Sequence, residues 1–128
     1  MSAPTTILII EDDFLIRTCL TEFLEDSDMQ VLEAESCAEA RQHLQNDRHV
    51  DVLIADLSLP DGDGVALISE IRASRPTLPV IYTTGHGAKI GDRVQLDPGI
   101  DRVMPKPYAL DAVCQTVTEL GKLTRYSA

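Results

Sequence analysis

The chain has 128 residues, 44% of them hydrophobic, which is room for a single core of about ordinary domain size and excludes a disordered tail. Its formal net charge of −10, from 21 acidic against 11 basic residues, argues against direct nucleic-acid binding, because such binding neutralises phosphates with Lys and Arg. Aromatics make up 4% and Trp is absent, so the core must be aliphatic.

The opening, Met1 to Thr6, has no basic n-region, and no apolar run reaches membrane-spanning length. Neither a signal peptide nor membrane insertion is expected. Thr6 to Ile10 is short, β-branched and continuously apolar, the pattern of a strand buried on both faces in a parallel sheet. It stops at Glu11-Asp12-Asp13, and Asp13 is placed to cap a helix from Phe14 to Glu25. Ile16, Leu20, Phe23 and Leu24 form that helix's apolar stripe, which Leu15 and Cys19 widen.

Met29 to Ala34 reads as a second strand, followed by a capping box, Ser36-Cys37-Ala38-Glu39, and a helix whose apolar face is Cys37, Ala40 and Leu44. Val50 to Ala55 is the third strand and delivers Asp56 to its end. Pro60-Asp61-Gly62-Asp63-Gly64 is a turn in which Asp61 and Asp63 serve the turn; a third helix carries Leu67, Ile68 and Ile71 and stops before Pro76.

Leu78 to Thr83 is the fourth strand, broken by Gly85-His86-Gly87. Residues 88–96 make a thin helix weakened by Gly87 and Gly91. Asp101 to Met104 is the fifth strand. The last helix begins near Ala109 with Leu110, Val113, Cys114, Val117 and Leu120 at spacings of three and four, and the tail from Lys122 is expected to fray. His43 and His49 are expected at the surface. Cys19, Cys37 and Cys114 lack C-x-x-C spacing and fall among apolar positions, which predicts reduced thiols in a cytosolic core.

Alternating strands and helices imply an α/β fold, a five-stranded parallel sheet with helices on both faces. Residues just past the first, third, fourth and fifth strands then meet at one rim: Glu11, Asp12, Asp13, Asp56, Thr83, Thr84 and Lys106. Two carboxylates about 4 Å apart repel by about 4 kcal/mol at an effective dielectric near 20, so a cation is expected between them. Oxygen ligands without a His/Cys set favour Mg²⁺ over zinc or copper. A carboxylate beside Mg²⁺, an ammonium and a hydroxyl is equipped to attack phosphorus and form an aspartyl phosphate.

This set, each member at a strand end, resembles the receiver domain of two-component response regulators over nearly the whole chain. The resemblance implies the flavodoxin-like (βα)5 receiver fold, a core over about residues 5–121, and a signalling domain rather than a turnover enzyme. It implies Asp56 as phosphoacceptor, Asp12 as direct ligand of Mg²⁺ (or Mn²⁺), Glu11 as a ligand through water, and the Ser58 backbone carbonyl as a further ligand. Thr84 corresponds to the switch hydroxyl and Lys106 to the lysine that contacts the phosphoryl group, with a cis Lys106-Pro107 bond.

Ser58 and His86 correspond to the positions flanking the hydrolytic water, which makes them candidate modulators of dephosphorylation. Val103 stands where many receivers carry a switching Tyr or Phe. Pro79 to Gly87 partly resembles the FATGUY motif of single-domain regulators, with Tyr82 for its second Phe and Thr83 for its Ala, while Val80 departs from its first Phe.

Expected partners are a histidine kinase or histidine phosphotransfer protein, docking at Phe14, Leu15, Thr18, Pro107 and Tyr108; Phe14 fits a core position equally well. Lys89, Arg93, Arg102 and Val103 lie on the face receivers use for output. With no effector segment within these 128 residues, the chain is expected to be a stand-alone regulator if full length, or the receiver of a hybrid kinase if excised from a larger protein. A pseudo-receiver that keeps the fold without being switched is the alternative. A haloacid-dehalogenase-type phosphatase would want a second Asp where Ser58 stands.

Overall fold

A computed structural model of the chain describes residues 4–46, 48–59, 62–84 and 96–126. In order the elements are β1 (Thr6–Ile10), α1 (Phe14–Asp26), β2 (Gln30–Ala34), α2 (Cys37–Gln45), β3 (Val52–Asp56), the two-residue strands β4 (Ser58–Leu59) and β5 (Gly62–Asp63), α3 (Gly64–Ser74), β6 (Val80–Thr84), β7 (Asp101–Pro105) and α4 (Leu110–Tyr126). The main sheet is wholly parallel with the order β2-β1-β3-β6-β7. The chain leaves β1 toward one edge and, from β3 onward, builds toward the other. The order therefore reverses between β1 and β3, the place where doubly wound sheets open a crevice at their carboxyl ends.

The β-branched runs bury both faces because successive side chains alternate. Ile7 and Ile9 join Leu20, Leu24, Val113, Val117 and Leu120 of α1 and α4 in one apolar layer. Leu8 and Ile10 join Cys37, Ala40, Leu67, Ile68 and Ile71 of α2 and α3 in the other. Each fully buried aliphatic side chain contributes about 1.5–3 kcal/mol of transfer free energy, so the two layers hold the strand ends in fixed register.

The five predicted strands are all present, with ends moved by one or two residues; β3 includes Asp56 itself and β6 runs from Val80 to Thr84. Asp13 caps α1, its side chain accepting from Ile16 N–H at 3.1 Å. Ser36 caps α2, but the return bond of Glu39 goes to the N–H of Glu35 at 2.9 Å rather than to that of Ser36.

Four expectations are corrected. The buried stripe of α1 is Arg17, Leu20, Thr21 and Leu24, whereas Leu15 and Cys19 face outward, because the helix is rotated to seat Arg17 against the sheet edge. Of the three free thiols Cys37 is buried and Cys114 is half-buried against the core, whereas Cys19 is exposed. The last helix continues to Tyr126 instead of fraying from Lys122. His43, expected at the surface, is half-buried with its Nε2 2.8 Å from the Glu33 carbonyl, while His49 is exposed as expected. Beyond these, the stretch after Asp56 contains an antiparallel pairing of β4 with β5, Ser58 opposite Asp63. The expected helix over residues 88–96 falls, up to residue 95, outside the described residues, as do His86, Lys89, Arg93 and Asp61.

Gly64 opens α3 directly beneath the phosphoacceptor candidate. A Cβ there would sit 2.8 Å from Leu57 Cα, 2.9 Å from Leu57 O and 3.1 Å from Asp56 O, all backbone atoms that cannot swing aside. We expect Gly64→Ala to lower the unfolding free energy by about 1–3 kcal/mol, read by urea denaturation; an unchanged midpoint would mean that the α3 start and the Asp56 turn separate freely.

Candidate functional site

The carboxyl ends of the parallel strands bring the charged residues together. Glu11 and Asp12 follow β1, Asp56 ends β3, Thr84 ends β6 and Lys106 follows β7. Carboxylate oxygens of Glu11, Asp12 and Asp56 lie within 4.8 Å of one another; Glu11 and Asp56 are buried and Asp12 is exposed. The Lys106 ammonium reaches both buried carboxylates, 2.7 Å from Glu11 Oε1 and 2.9 Å from Asp56 Oδ2. It is held there by its backbone, since Lys106 N–H donates to the Thr84 carbonyl at 2.7 Å, and the Lys106-Pro107 peptide is cis as expected.

Burial and the shared ammonium act together on Glu11 and Lys106. Burial raises the Glu11 carboxyl above the usual value of 4.5, and the nearby Asp56 charge adds to this, against the pull of Lys106 and of the Asp13 N–H at 3.1 Å. Burial works to lower Lys106, but its bonds to Glu11 and Asp56 outweigh it and hold the ammonium well above the usual lysine value. Tyr108 is pushed up to about 12, first by burial and then by the Glu11 charge. Three carboxylates against one ammonium leave the pocket negative, and every ligating atom offered by the cluster is oxygen. This donor set fits a hard divalent cation such as Mg²⁺.

Register puts Thr83 opposite Asp56 and Thr84 one residue further toward the rim; both threonines are buried. Val103 is 39% exposed and pairs through its backbone with Tyr82 of β6. Tyr82 carries a buried aromatic ring that sequence reasoning did not connect with its surroundings. Burial pushes its phenol up to about 12, and the Asp101 charge acts in the same direction. Asp101 is itself gripped by Arg72 of α3, and it accepts the Asp97 N–H at 2.8 Å.

Beside the acidic rim, Phe14 is 66% and Leu15 71% exposed, which decides the open question about Phe14 against the core. Leu15, Ile16, Cys19, Pro107, Tyr108 and Leu110 line an apolar groove of about 520 Å³ that ends at Lys106. Of the five docking candidates, Leu15, Pro107 and Tyr108 line this groove, Phe14 is exposed on the first turn of α1, and Thr18 is half-buried. Arg102 is turned to its own loop, donating to the carbonyls of Pro98 and Asp101.

Arg17 was missed altogether. Its position three residues before Leu20 and seven before Leu24, on the stripe that faces the sheet, was the available signal.

Residues 7–118 match the family model described as the response regulator receiver domain. The chain is 40% identical over 110 residues to the virulence transcriptional regulatory protein PhoP of Salmonella typhimurium strain LT2 and 35% identical over 108 residues to the transcriptional regulatory protein PhoP of Escherichia coli K12. Each alignment covers 84% of this chain but 47% and 48% of those proteins, so the chain spans about half the length of these relatives. Among solved structures, a two-component response regulator from Clostridium difficile is 29% identical with a TM-score of 0.81, covering 97% of this chain and 99% of that one. A CheY-like receiver from Methanospirillum hungatei superposes with a TM-score of 0.88 over 98% of this chain and 100% of that one; at 23% identity this is a likeness of fold.

Proposed function

The chain belongs to the response-regulator receiver family, and from that premise we propose that it takes a phosphoryl group from a phosphohistidine of a histidine kinase or phosphotransfer protein onto Asp56. The observation that carries this reading is the convergence of the Glu11, Asp12 and Asp56 carboxylates with Lys106 2.9 Å from Asp56. In the transfer, a carboxylate oxygen of Asp56 forms a bond to phosphorus as the donor's P–N bond breaks and the imidazole leaves. Asp12, Asp56, the Ser58 backbone carbonyl and, through water, Glu11 would hold Mg²⁺ or Mn²⁺. When bound, the cation neutralises charge on the phosphoryl oxygens.

Lys106 supplies the second positive charge from across the pocket, and the Thr84 hydroxyl donates to a phosphoryl oxygen. Movement of Thr84 toward that oxygen, on a strand whose backbone carbonyl already holds Lys106, carries the modification to the face formed by β6 and β7. Val103 offers no aromatic ring at that position to follow the threonine. Ser58 and His86 set the lifetime of the phosphoryl group. The donor protein docks an apolar helix face in the groove beside Lys106, with Phe14 and Leu15 at its rim and Thr18 flanking it.

The domain is one receiver unit that signals through altered protein contacts in the cytoplasm, without inserting into a membrane or touching nucleic acid directly. Among the described residues no helix is long and apolar enough to cross a membrane, and the net charge of −10 opposes docking on a nucleic-acid backbone.

The test is intact-protein mass after incubation with a small acyl-phosphate or phosphoramidate donor, with Mg²⁺ or with a chelator. One added phosphoryl group that requires the cation is expected. No adduct under fast quench, with the protein folded and both donors tried, would replace this reading by that of a pseudo-receiver, which binds partners without phosphate.

A further inference from the structure

Arg17 is a buried guanidinium on the first turn of α1, its side chain 10% exposed. A cation is costly to bury unless it is paired and hydrogen-bonded, and here two nitrogens of the fork donate to acceptors while the third faces a carboxylate at ion-pair distance. Nη1 donates to the Glu11 backbone carbonyl at 2.7 Å, Nε donates to Glu33 Oε1 at 3.1 Å, Nη2 lies 4.0 Å from Glu35 Oε2, and the guanidinium carbon stands 5.7 Å from the centre of the Phe14 ring. The side chain thus ties α1 to the ends of β1 and β2.

The bond to Glu11 O bears on the acidic pocket through the peptide plane. The carbonyl of Glu11 and the N–H of Asp12 belong to one planar unit, so holding that oxygen sets the rotation of the peptide that aims Asp12. The residue is held from its other side too, by Glu11 N–H donating to the Ala34 carbonyl at 3.0 Å. Asp12 is exposed at the pocket mouth and lacks the burial that keeps Glu11 and Asp56 in place.

We infer that Arg17 is a positioning residue for divalent-cation binding, holding the Glu11-Asp12 peptide so that the Asp12 carboxylate points at the same spot as that of Asp56. The inference rests on the receiver reading and extends it to a residue that does not touch the cation. Partners that orient metal ligands in this manner are worth about 10–100-fold in affinity.

Charge and orientation make opposite predictions here. Removing a cation near a cation site would tighten binding by Coulomb's law, whereas losing the orientation of Asp12 would loosen it. Titration of unphosphorylated parent, Arg17→Met and Arg17→Lys with Mg²⁺, followed by calorimetry, separates the two without any phosphotransfer. Arg17→Met is expected to bind Mg²⁺ about tenfold more weakly. Arg17→Lys keeps the charge but loses the planar fork whose separate nitrogens reach Glu11 O and Glu33, and is expected to weaken binding several-fold. If Arg17→Met does not fold, by circular dichroism, the Lys variant decides alone. Parental or tighter affinity in a folded variant would overturn the inference while leaving the receiver reading intact. A parent that binds no Mg²⁺ would overturn both.

Discussion

Asp56→Asn protein, incubated with donor and Mg²⁺, is expected to remain at its unmodified mass, with labelling at least about 100-fold below the parent. The size of the effect follows from chemistry rather than from folding. An amide has no carboxylate oxygen to attack phosphorus, and among the described carboxylates at the buried rim the Lys106 ammonium otherwise pairs with Glu11, which burial and its bonds to Lys106 and Asp13 N–H keep engaged. Asn has the volume of Asp and an oxygen that still accepts from Lys106, so the pocket keeps its shape. The urea midpoint and circular dichroism check that claim. Phosphoryl uptake by folded Asp56→Asn at the parental rate would move the acceptor elsewhere and sink the assignment.

Lys106→Met is expected to slow phosphoryl uptake by about 100- to 1000-fold, the cost of removing one preorganised donor from a developing anionic centre. It should also destabilise the protein in a pH-dependent manner. Because the Lys106 pKa is raised, the stability from its pairing is complete below the ordinary lysine value of 10.5 and is lost as pH rises through the higher folded value. Glu11 is also raised, and for a carboxyl the sign is the opposite: the burial penalty is full above its folded pKa and lifts as pH falls through that value toward 4.5.

Without the ammonium, Glu11 and Asp56 face each other uncompensated. The variant should therefore lose about 2 kcal/mol near pH 8, with a smaller loss near pH 5 as Glu11 takes up a proton. Added Mg²⁺ should restore much of the difference, because a divalent cation replaces the missing charge. Urea denaturation at the two pH values, with and without Mg²⁺, measures this. A loss independent of both pH and cation would mean that Lys106 contributes by packing, not by charge.

Most of the fold was legible in one dimension because its signals are local. Ile7 to Ile10 and Val52 to Ala55 are uninterrupted β-branched and aliphatic runs, and such runs are buried on both faces wherever they lie. The caps Asp13 and Ser36 act within three residues of themselves. The candidate site was legible for a related reason: once the strands are parallel, residues that end them must share a rim, and Glu11, Asp12, Asp56, Thr84 and Lys106 each end or follow a strand.

Tertiary structure alone decided how those residues divide the space. That one ammonium serves both Glu11 and Asp56, residues 95 and 50 positions away in the chain, depends on the register of three strands. The rotation of α1 turned Leu15 and Cys19 outward and Arg17 inward, because packing against β1 and β2 rewards a guanidinium that can reach Glu11 O and Glu33, a choice that helical periodicity by itself leaves open. The demand for glycine at 64 appears only where Leu57 and Asp56 pass within 3.1 Å of the missing Cβ. Periodicity fixes which side chains share a face; long-range register and close packing fix the distances between them, and the chemistry of this pocket depends on those distances.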